Sequence, residues 1–451
     1  MLGSNGPHPA SLMCEKNQRG AMARLSKLKT VFKPIEIQAT APNISSDGGL
    51  LLLKKLDEHH GLTKRVACCV SDPRKGDVEH TVEKMLAQRV YAIALGWEDC
   101  NDFGSLRQDP LYALALGSIP ASQPTLSRFE NWVDYKALRR MSDELVDVFI
   151  ARHKDHPPKR IVIDIDATQD PTHGQQEFQF FNKFYDCHCY LPLMVFGMCD
   201  GSPMEILAAI LRPGNVHSGK RAGAILWRLA KRIRAALPLT KILVRADGGF
   251  SSPEFYAVCE SLNLDYLVCI PTNKVLERNA EPLMVQARAQ RDLAKDAARV
   301  YGEFTYSAGS WKKIERRVIV KAEALVGKDN ARYVVTNLSH DPQTLYAIYC
   351  LRGDCENRIK EMKIDLASGR TSCCSFTANA FRLMLNAFAF ALLSMVRDHL
   401  LTTDLAKCTI GQIRLKLLKV AAIVEHSTRR VLVRLPKGHP HVELLIKIHA
   451  T

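Results

Sequence analysis

The 451-residue sequence lacks the cysteine patterns of a disulfide-rich or zinc-binding protein. None of its 14 cysteines forms a Cys-x-x-Cys pair, and those present are adjacent (Cys68-Cys69, Cys373-Cys374) or single within apolar segments. This spacing is typical of reduced thiols in a core. Cys187-His188-Cys189 most resembles a zinc-ligand cluster, but the sequence has no second group of Cys or His residues that would complete the site.

Long apolar runs are also lacking. The most apolar stretch, residues 383–396, is interrupted by Asn386 and is shorter than the roughly 20 residues that span a bilayer, so we expect a buried helix. The first 30 residues contain scattered basic side chains and no apolar segment typical of a secretory signal. The sequence therefore predicts a cytoplasmic protein that is associated with the nucleoid and has no membrane partner.

Acidic residues are too few to balance the basic ones. The chain has 62 Lys and Arg against 47 Asp and Glu, which gives a net charge of +15. This surplus indicates a polyanionic partner, although charge alone does not distinguish nucleic acid from an anionic membrane. A hydrophobic content of 47% is ordinary for a globular chain with a real core.

Residues 161–170, IVIDIDATQD, have the alternation of a strand. Ile161, Ile163 and Ile165 share one face, while Asp164 and Asp166 share the other. Two more strands follow as a hairpin, and then helix, strand, helix and strand. This order predicts an α/β fold with a mixed sheet covered by helices.

The pattern of residues divides the chain into five segments. Residues 122–132, SQPTLSRFENW, could form a DNA-reading helix, but the pattern fits an ordinary packing helix with an N-terminal cap better. The predicted segments are a flexible basic arm (1–30), a helical DNA-binding domain (31–155), a catalytic core (156–273 and 345–400), a β-rich insertion subdomain (274–344) and a C-terminal helix and strand extension (401–451). Within the last segment, RRVLVRLP and HVELLIKI are expected as strands.

Three acidic residues occupy positions where a sheet protein exposes ligands. Asp166 lies near the end of the first strand, Asp247 ends the strand ILVRAD, and Glu356 lies on a late helix. Carboxylates gathered in this way can hold two Mg²⁺ ions about 3.5–4 Å apart for displacement at phosphorus. Alternatives stay open: Asp164 competes with Asp166, and Asp247 could simply cap the next turn.

Residues 349–363, YCLRGDCENRIKEMK, are predicted to form a helix with two adjacent stripes. The spacing of Tyr349, Arg352, Glu356 and Lys363 places them along one face. Glu356 could also pair with a basic neighbour one turn away. An apolar stripe beside them is expected to face the core. It comprises Ile348, Leu351, Cys355, Ile359, Met362 and Leu366.

The order Asp166, Asp247, Glu356 together with Tyr349-x2-Arg352-x3-Glu356-x6-Lys363 resembles the bacterial insertion-sequence DDE transposases that bear a Tyr-Arg-Glu-Lys signature. From about residue 35, the chain is most similar to the insertion-sequence family numbered thirteen-eighty. The segments that carry this similarity are SSDGGLLLLKKLDE, ATQDPTHGQQEFQFFNKFYDCHCYLPL and VRADGGF.

The resemblance implies a ribonuclease H-like core in which Asp166, Asp247 and Glu356 bind two divalent metal ions, Mg²⁺ or Mn²⁺. It implies that Tyr349, Arg352 and Lys363 contact DNA near the scissile bond. It also implies cut-and-paste movement of an element through its terminal inverted repeats, in a homodimer or higher synaptic complex on double-stranded DNA.

Three further residues are candidates for DNA contact. Related enzymes carry a β insertion that can bear a base-stacking aromatic, and Trp311 is the candidate here, although a Trp in a small β subdomain more often packs in a core. Lys220 and Arg221 precede a basic helix whose N-terminus could seat a phosphate. The resulting hypothesis is a transposase. The alternatives are a related nuclease without strand transfer and a non-catalytic DNA-binding protein.

Overall fold

The structure, a computed structural model, describes residue 38, residues 43–311 and residues 313–450. The predicted basic arm, 1–30, lies outside the described residues. The helices are α1 (Leu50–His60), α2 (Leu62–Ala67), α3 (Val82–Ala94), α4 (Phe103–Leu106), α5 (Pro110–Leu116), α6 (Gln123–Trp132), α7 (Tyr135–His153), α8 (Ala222–Ala236), α9 (Pro253–Ser261), α10 (Lys274–Ala294), α11 (Pro342–Cys350), α12 (Gly353–Ile364), α13 (Phe376–Asp398), α14 (Ile410–Ile413) and α15 (Val442–Ala450).

The strands form one large sheet and two small ones. They are β1 (Ile44–Ser45), β2 (Arg160–Ala167), β3 (Asp170–Pro171), β4 (Phe180–Asn182), β5 (Cys187–Tyr190), β6 (Leu193–Cys199), β7 (Glu205–Ile210), β8 (Lys241–Ala246), β9 (Asp265–Cys269), β10 (Ala298–Tyr306), β11 (Arg316–Leu325), β12 (Lys328–Thr336), β13 (Ala422–His426) and β14 (Val431–Arg434).

The large sheet has eight strands in the order β10-β11-β12-β9-β8-β2-β6-β7. Strand β8 runs parallel to both β2 and β9, while the other neighbours are antiparallel. The hairpin strands β6 and β7 extend from β2, helix α8 leads from β7 to β8, and helix α9 connects the parallel strands β8 and β9. The predicted mixed α/β sheet is therefore confirmed.

Alternation along β2 sets the two faces of this sheet. Ile161, Ile163 and Ile165 are buried in a core that also contains side chains of α8 and α9. On the opposite face, Val162 belongs to a smaller cluster that Leu345 of α11 covers. Asp164 and Asp166 also point to that second face, next to α11 and α12.

The segment 274–344 does not form a separate β subdomain. It begins with the 21-residue helix α10, which the sequence analysis missed. Strands β10, β11 and β12 then continue the large sheet, because β12 pairs with β9 with Val335 opposite Val268. Helix α10 packs against β10 and β11.

The N-terminal helices share their core with the C-terminal half of the chain. Helix α13 contacts α3, α6, α7 and β7, and one hydrophobic cluster runs from Leu50 to Ile448. By length and composition α13 is the one helix in the described residues that could cross a membrane, but 94% of its most apolar window is buried in the protein. The prediction of a buried helix at 383–396 is confirmed.

Two local predictions are wrong. Residues 349–363 are not one helix, because α11 ends at Cys350 and α12 begins at Gly353. Leu351, expected in the apolar stripe, lies in the intervening turn and is 56% exposed. The segment HVELLIKI, expected as a strand, belongs to α15, whose Val442, Leu445 and Ile448 are buried at helical spacing.

Candidate active site

Asp164 and Asp166 have different partners although they share a face of β2. Asp164 is fully buried and accepts two hydrogen bonds from Arg245, each of 2.7 Å. The parallel register of β2 and β8 places Asp164 opposite Arg245. Arg245 also donates to the carbonyl of Ile348, so this ion pair ties the sheet to α11.

Asp166 lies one residue before the end of β2 and is 9% exposed. Its Oδ2 accepts from Arg352 Nη1 at 2.8 Å, and its Oδ1 accepts from the backbone N–H of Ala167. Burial raises the pKa of Asp166 to about 6; the charge of Asp247 adds to the rise and that of Arg352 opposes it. Asp166 and Asp247 are therefore close enough to interact.

Asp247 directly follows β8 and begins a 3₁₀ turn at Gly248–Phe250. Its Oδ1 accepts from the backbone N–H of Gly249 at 2.9 Å. The residue therefore caps the turn, as one sequence alternative held. Because β2 and β8 are parallel neighbours, their carboxyl ends bring Asp166 and Asp247 to the same edge of the sheet.

Glu356 lies in the first turn of α12 with a half-exposed side chain. Its Oε1 accepts from Arg352 Nη2 at 2.9 Å. A single guanidinium, that of Arg352, thus contacts both Asp166 and Glu356, which belong to distant parts of the sequence. The structure thus joins Asp166 to Glu356 through Arg352. It places Asp247 beside Asp166 at the edge of the sheet.

Tyr349 and Lys363 lie on either side of this cluster. Tyr349 is in the last turn of α11, and burial together with the neighbouring Cys269 raises its pKa, with Arg352 opposing. Lys363 Nζ donates to the carbonyl of Gln169 at 2.8 Å and fastens α12 to the segment after β2. The Lys363 ammonium thus binds the backbone of the segment that follows Asp166.

The chemistry of the three carboxylates suits a hard divalent cation, since Mg²⁺ prefers oxygen ligands. Their arrangement is that of an ion-paired cluster, because Arg352 supplies the positive charge between Asp166 and Glu356. Within residues 43–311 and 313–450, no three His, Cys, Asp or Glu side chains are grouped closely enough to hold a metal ion. The three carboxylates therefore have the ligand chemistry that Mg²⁺ requires. In this structure Asp166 and Glu356 are positioned to pair with Arg352.

The loop that carries Lys220 and Arg221 packs against the Asp247 turn. The position of Gly219 leaves no room for a Cβ, which would lie 2.6 Å from the carbonyl oxygen of Gly249. Lys220 and Arg221 are both exposed, and Arg221 adopts a left-handed conformation (φ 61°) at the start of α8. Both cations therefore lie on the loop beside the carboxylates.

The rest of the basic helix is less available than its sequence suggests. Arg228 pairs with Asp143 of α7, and Arg232 donates two hydrogen bonds of 2.6 Å to Asp147. Arg234 donates to the carbonyl of Thr240 at 2.7 Å. Internal partners thus satisfy the three arginines of α8.

Trp311 is a core residue. It is 3% exposed, its ring packs edge-on against Tyr256 and Tyr306, and the guanidinium of Arg316 lies over one face, 5.1 Å from the ring centre. Stacking on a base would require the ring to leave this cluster. Trp311 therefore packs in the core, and its burial contradicts the predicted contact with DNA.

Two residues near the carboxylates were missed by the sequence analysis. Burial raises the pKa of Tyr185, and the charges of Asp166 and Asp247 raise it further, so the phenol lies near both acids. Arg212 is 6% exposed, and burial lowers its pKa to about 10 while Tyr185 opposes. A periodic pattern gives no signal for either residue, because both lie in irregular segments.

The family described as transposase DDE domain group 1 matches residues 29–451. No curated protein sequence matches the chain. Two solved structures are similar: a pre-cleavage Mos1 transpososome and a Mos1 transposase paired-end complex with the left transposon end. Each shares 10% identity with a TM-score of 0.17, and the match covers 44% of this chain and 61% of that chain.

The match spans less than two thirds of the Mos1 chains, and its TM-score is too low to carry a structural argument. The family match, by contrast, extends over nearly the whole sequence and includes all three candidate acids. The chain therefore belongs to the transposase DDE domain group 1 family.

Proposed function

We propose that this protein is an insertion-sequence transposase whose catalytic acids are Asp166, Asp247 and Glu356. It would bind the terminal inverted repeats of its element, cleave the DNA there and join the freed ends to a target. Family membership supports the transposase activity. The site assignment rests on Arg352, which pairs with Glu356 and with Asp166, a residue 186 positions away in sequence.

The three carboxylates would hold divalent metal, Mg²⁺ or Mn²⁺, as two ions. When bound, such ions supply Lewis acidity at the attacking and leaving oxygens. The chain's own residues bind and orient the DNA: Lys220 and Arg221 would contact backbone phosphates. Lys363, through its bond to Gln169, would hold the segment after Asp166 in place.

Further features of the proposal follow the resemblance to the Tyr-Arg-Glu-Lys transposases and the family numbered thirteen-eighty. The meander β2, β6, β7 followed by the parallel strands β8 and β9 supports a ribonuclease H-like core. Tyr349 and Arg352 would approach the strand end beside the scissile phosphate. The assembly would be a homodimer or a higher synaptic complex, acting on nucleoid DNA in the cytoplasm.

The decisive experiment combines amide substitutions with a strand-transfer assay. Asp166→Asn, Asp247→Asn and Glu356→Gln should each abolish cleavage of DNA carrying the inverted repeats that flank the gene, while end binding persists. Joining of wild-type cleavage products to plasmid DNA identifies a transposase. Cleavage without joining identifies a nuclease, and end binding without cleavage identifies a non-catalytic DNA-binding protein.

A further inference from the structure

The hairpin formed by β4 and β5 is held in a fixed position at the border of the candidate active site. In its turn, Asn182 Oδ1 accepts from the backbone N–H of Phe184 at 3.0 Å, and Asn182 Nδ2 donates to the carbonyl of Gly214 at 2.7 Å. A Cβ at Gly214 would lie 1.9 Å from the carbonyl oxygen of Cys189, so the two backbones are in direct contact. The hairpin is thus fixed to the loop that carries Lys220 and Arg221.

The same hairpin reaches the catalytic acids. Strand β5 pairs with β3, which follows β2, and Cys187 Sγ donates to Gln169 Oε1 at 3.7 Å, three residues after Asp166. The charges of Asp166 and Asp247 also raise the pKa of Tyr185, the residue after Phe184. The buried guanidinium of Arg212 lies in the adjoining loop, where its Nε donates to the carbonyl of Leu191 and its Nη1 to the carbonyl of Ser218. Its Nη2 is buried and has no hydrogen-bond partner among the described residues, although an unpaired buried donor is costly.

The hairpin carries several exposed aromatic side chains. Phe184 is 86% exposed and its ring packs edge-on against Tyr185, with centroids 4.8 Å apart. Phe180 and Phe181 of β4 are each 40% or more exposed. Lys183 in the same turn is exposed as well. Exposed aromatic rings beside an exposed basic side chain are the features that single-stranded nucleic-acid sites combine.

We infer that the β4–β5 hairpin is a single-stranded DNA site bordering Asp166 and Asp247, in which the Phe184 ring stacks on an unpaired base. Taking DNA as the ligand rests on the proposed function. The occupant is chosen by charge and shape: Lys183, Lys220 and Arg221 suit a phosphate backbone, and an exposed phenyl face suits any base.

An unpaired base fits this site better than duplex DNA. In a duplex, both faces of each base are already stacked on neighbours, so an aromatic side chain can add nothing without opening the helix. Strand cleavage and transfer beside the hairpin would release a strand end whose last base has a free face. Phe184 would hold that base while Asp166 and Asp247 act on the adjoining phosphate.

The test measures binding of the full chain to a short single-stranded oligonucleotide that contains one fluorescent purine analogue, whose emission is quenched by stacking. We expect quenching by the wild type, an affinity about ten-fold lower for Phe184→Ala, and near wild-type affinity for Phe184→Trp, since base stacking is sequence-tolerant and sensitive to loss of the ring. Leu293→Ala is the matched control, because Leu293 is 87% exposed at the end of α10.

Equal affinity and quenching for wild type and Phe184→Ala would overturn the inference, and so would a wild type that fails to bind the oligonucleotide. A change in oligomeric state with Phe184→Ala, without a change in single-strand affinity, would also overturn it and assign the patch to a second copy of the chain. Cleavage of end DNA is measured separately. Ring-dependent binding without cleavage would sustain this site and reject the catalytic proposal.

Discussion

At the scale of single residues, Asp164 and Asp166 show how neighbouring identical side chains acquire different roles. The sequence placed both on one face of β2 and left the choice open. We propose Asp166 as the reactive acid, because Arg245 already binds both oxygens of Asp164. Sequence reasoning could not find this pair, since Arg245 lies 81 residues away and meets Asp164 only through the register of β2 and β8.

Asp164→Asn should destabilise the protein by about 3–5 kcal/mol, because it leaves the buried Arg245 cation without its partner. Asp166→Asn should unfold at a urea concentration similar to that of the wild type, because it removes a carboxylate whose burial is unfavourable. Urea denaturation of the two variants compares them directly. Similar midpoints for both would show that the Asp164 pair is not structural.

Asp170 supplies a second test, based on pH. It is almost completely buried, its oxygens have no hydrogen-bond partner among the described residues, and burial raises its pKa to about 7, with Thr371 and Lys363 opposing. A raised carboxyl pKa costs stability as pH rises from the unfolded value near 3.8 to about 7.

Asp170→Asn removes this titration. The variant should match the wild type near pH 4 and exceed it increasingly up to pH 7, by on the order of 1.4 kcal/mol per pH unit at most. Thermal unfolding midpoints at a series of pH values measure the difference. A constant difference from pH 4 to pH 8 would contradict the prediction, and Asp186→Asn on the exposed hairpin turn is the control.

At the scale of elements, the sequence predicted the central strands and the buried helix well, because their periodicity is local. The prediction failed where two different structures produce the same spacing of apolar residues. The apolar spacing from Cys355 to Met362 is correct for α12, yet the same spacing continues across the break at Leu351 into α11. An apolar period of 3.6 residues does not reveal that the helix is interrupted between Cys350 and Gly353.

The partners of β10, β11 and β12 were equally hidden. Their strand character was predicted, but the pairing of Val335 with Val268 joins residues far apart in sequence, so the strands were assigned to an insertion and not to the main sheet. The burial of Trp311 follows from that pairing, because the connection between β10 and β11 then lies over Tyr256 of α9.

The basic segment around α8 yields a prediction on DNA binding. Replacing both Lys220 and Arg221 by Ala should lower the slope of log affinity against log salt by about 1.8, since each phosphate contact contributes about 0.9. Replacing Arg228 and Arg232 should change it little, because their charges are paired with α7. Titration of duplex DNA at several salt concentrations gives the slopes, and equal reductions for both pairs would contradict the assignment.

At the scale of the whole molecule, the helical N-terminal region shares one hydrophobic core with α12, α13 and the C-terminal segment. Phe129 of α6 packs on Phe381 of α13, and Glu130 pairs with Arg89 and Arg382. The predicted boundary at residue 155 marks a change in the sequence pattern, but a single hydrophobic core contains residues from both sides of it. Local composition shows where helices give way to strands, but it does not show which surfaces they share.

A fragment of residues 1–155 should therefore fail to fold alone. Without α13 it would expose the surfaces of α3, α6 and α7 that the full chain buries. We expect helical circular dichroism without a cooperative thermal transition, whereas the full-length protein should unfold cooperatively. A sharp transition in the fragment would show that the N-terminal helices are an independent domain.

The late position of α13 also has a consequence for synthesis. At about 5–20 residues per second, a ribosome needs about 10 to 50 s to proceed from the end of α7 to the end of α13. During that interval the nascent N-terminal helices present apolar surface with no lasting partner. The chain should therefore depend on chaperones while it is being translated, and it should become competent for DNA only when translation is nearly complete.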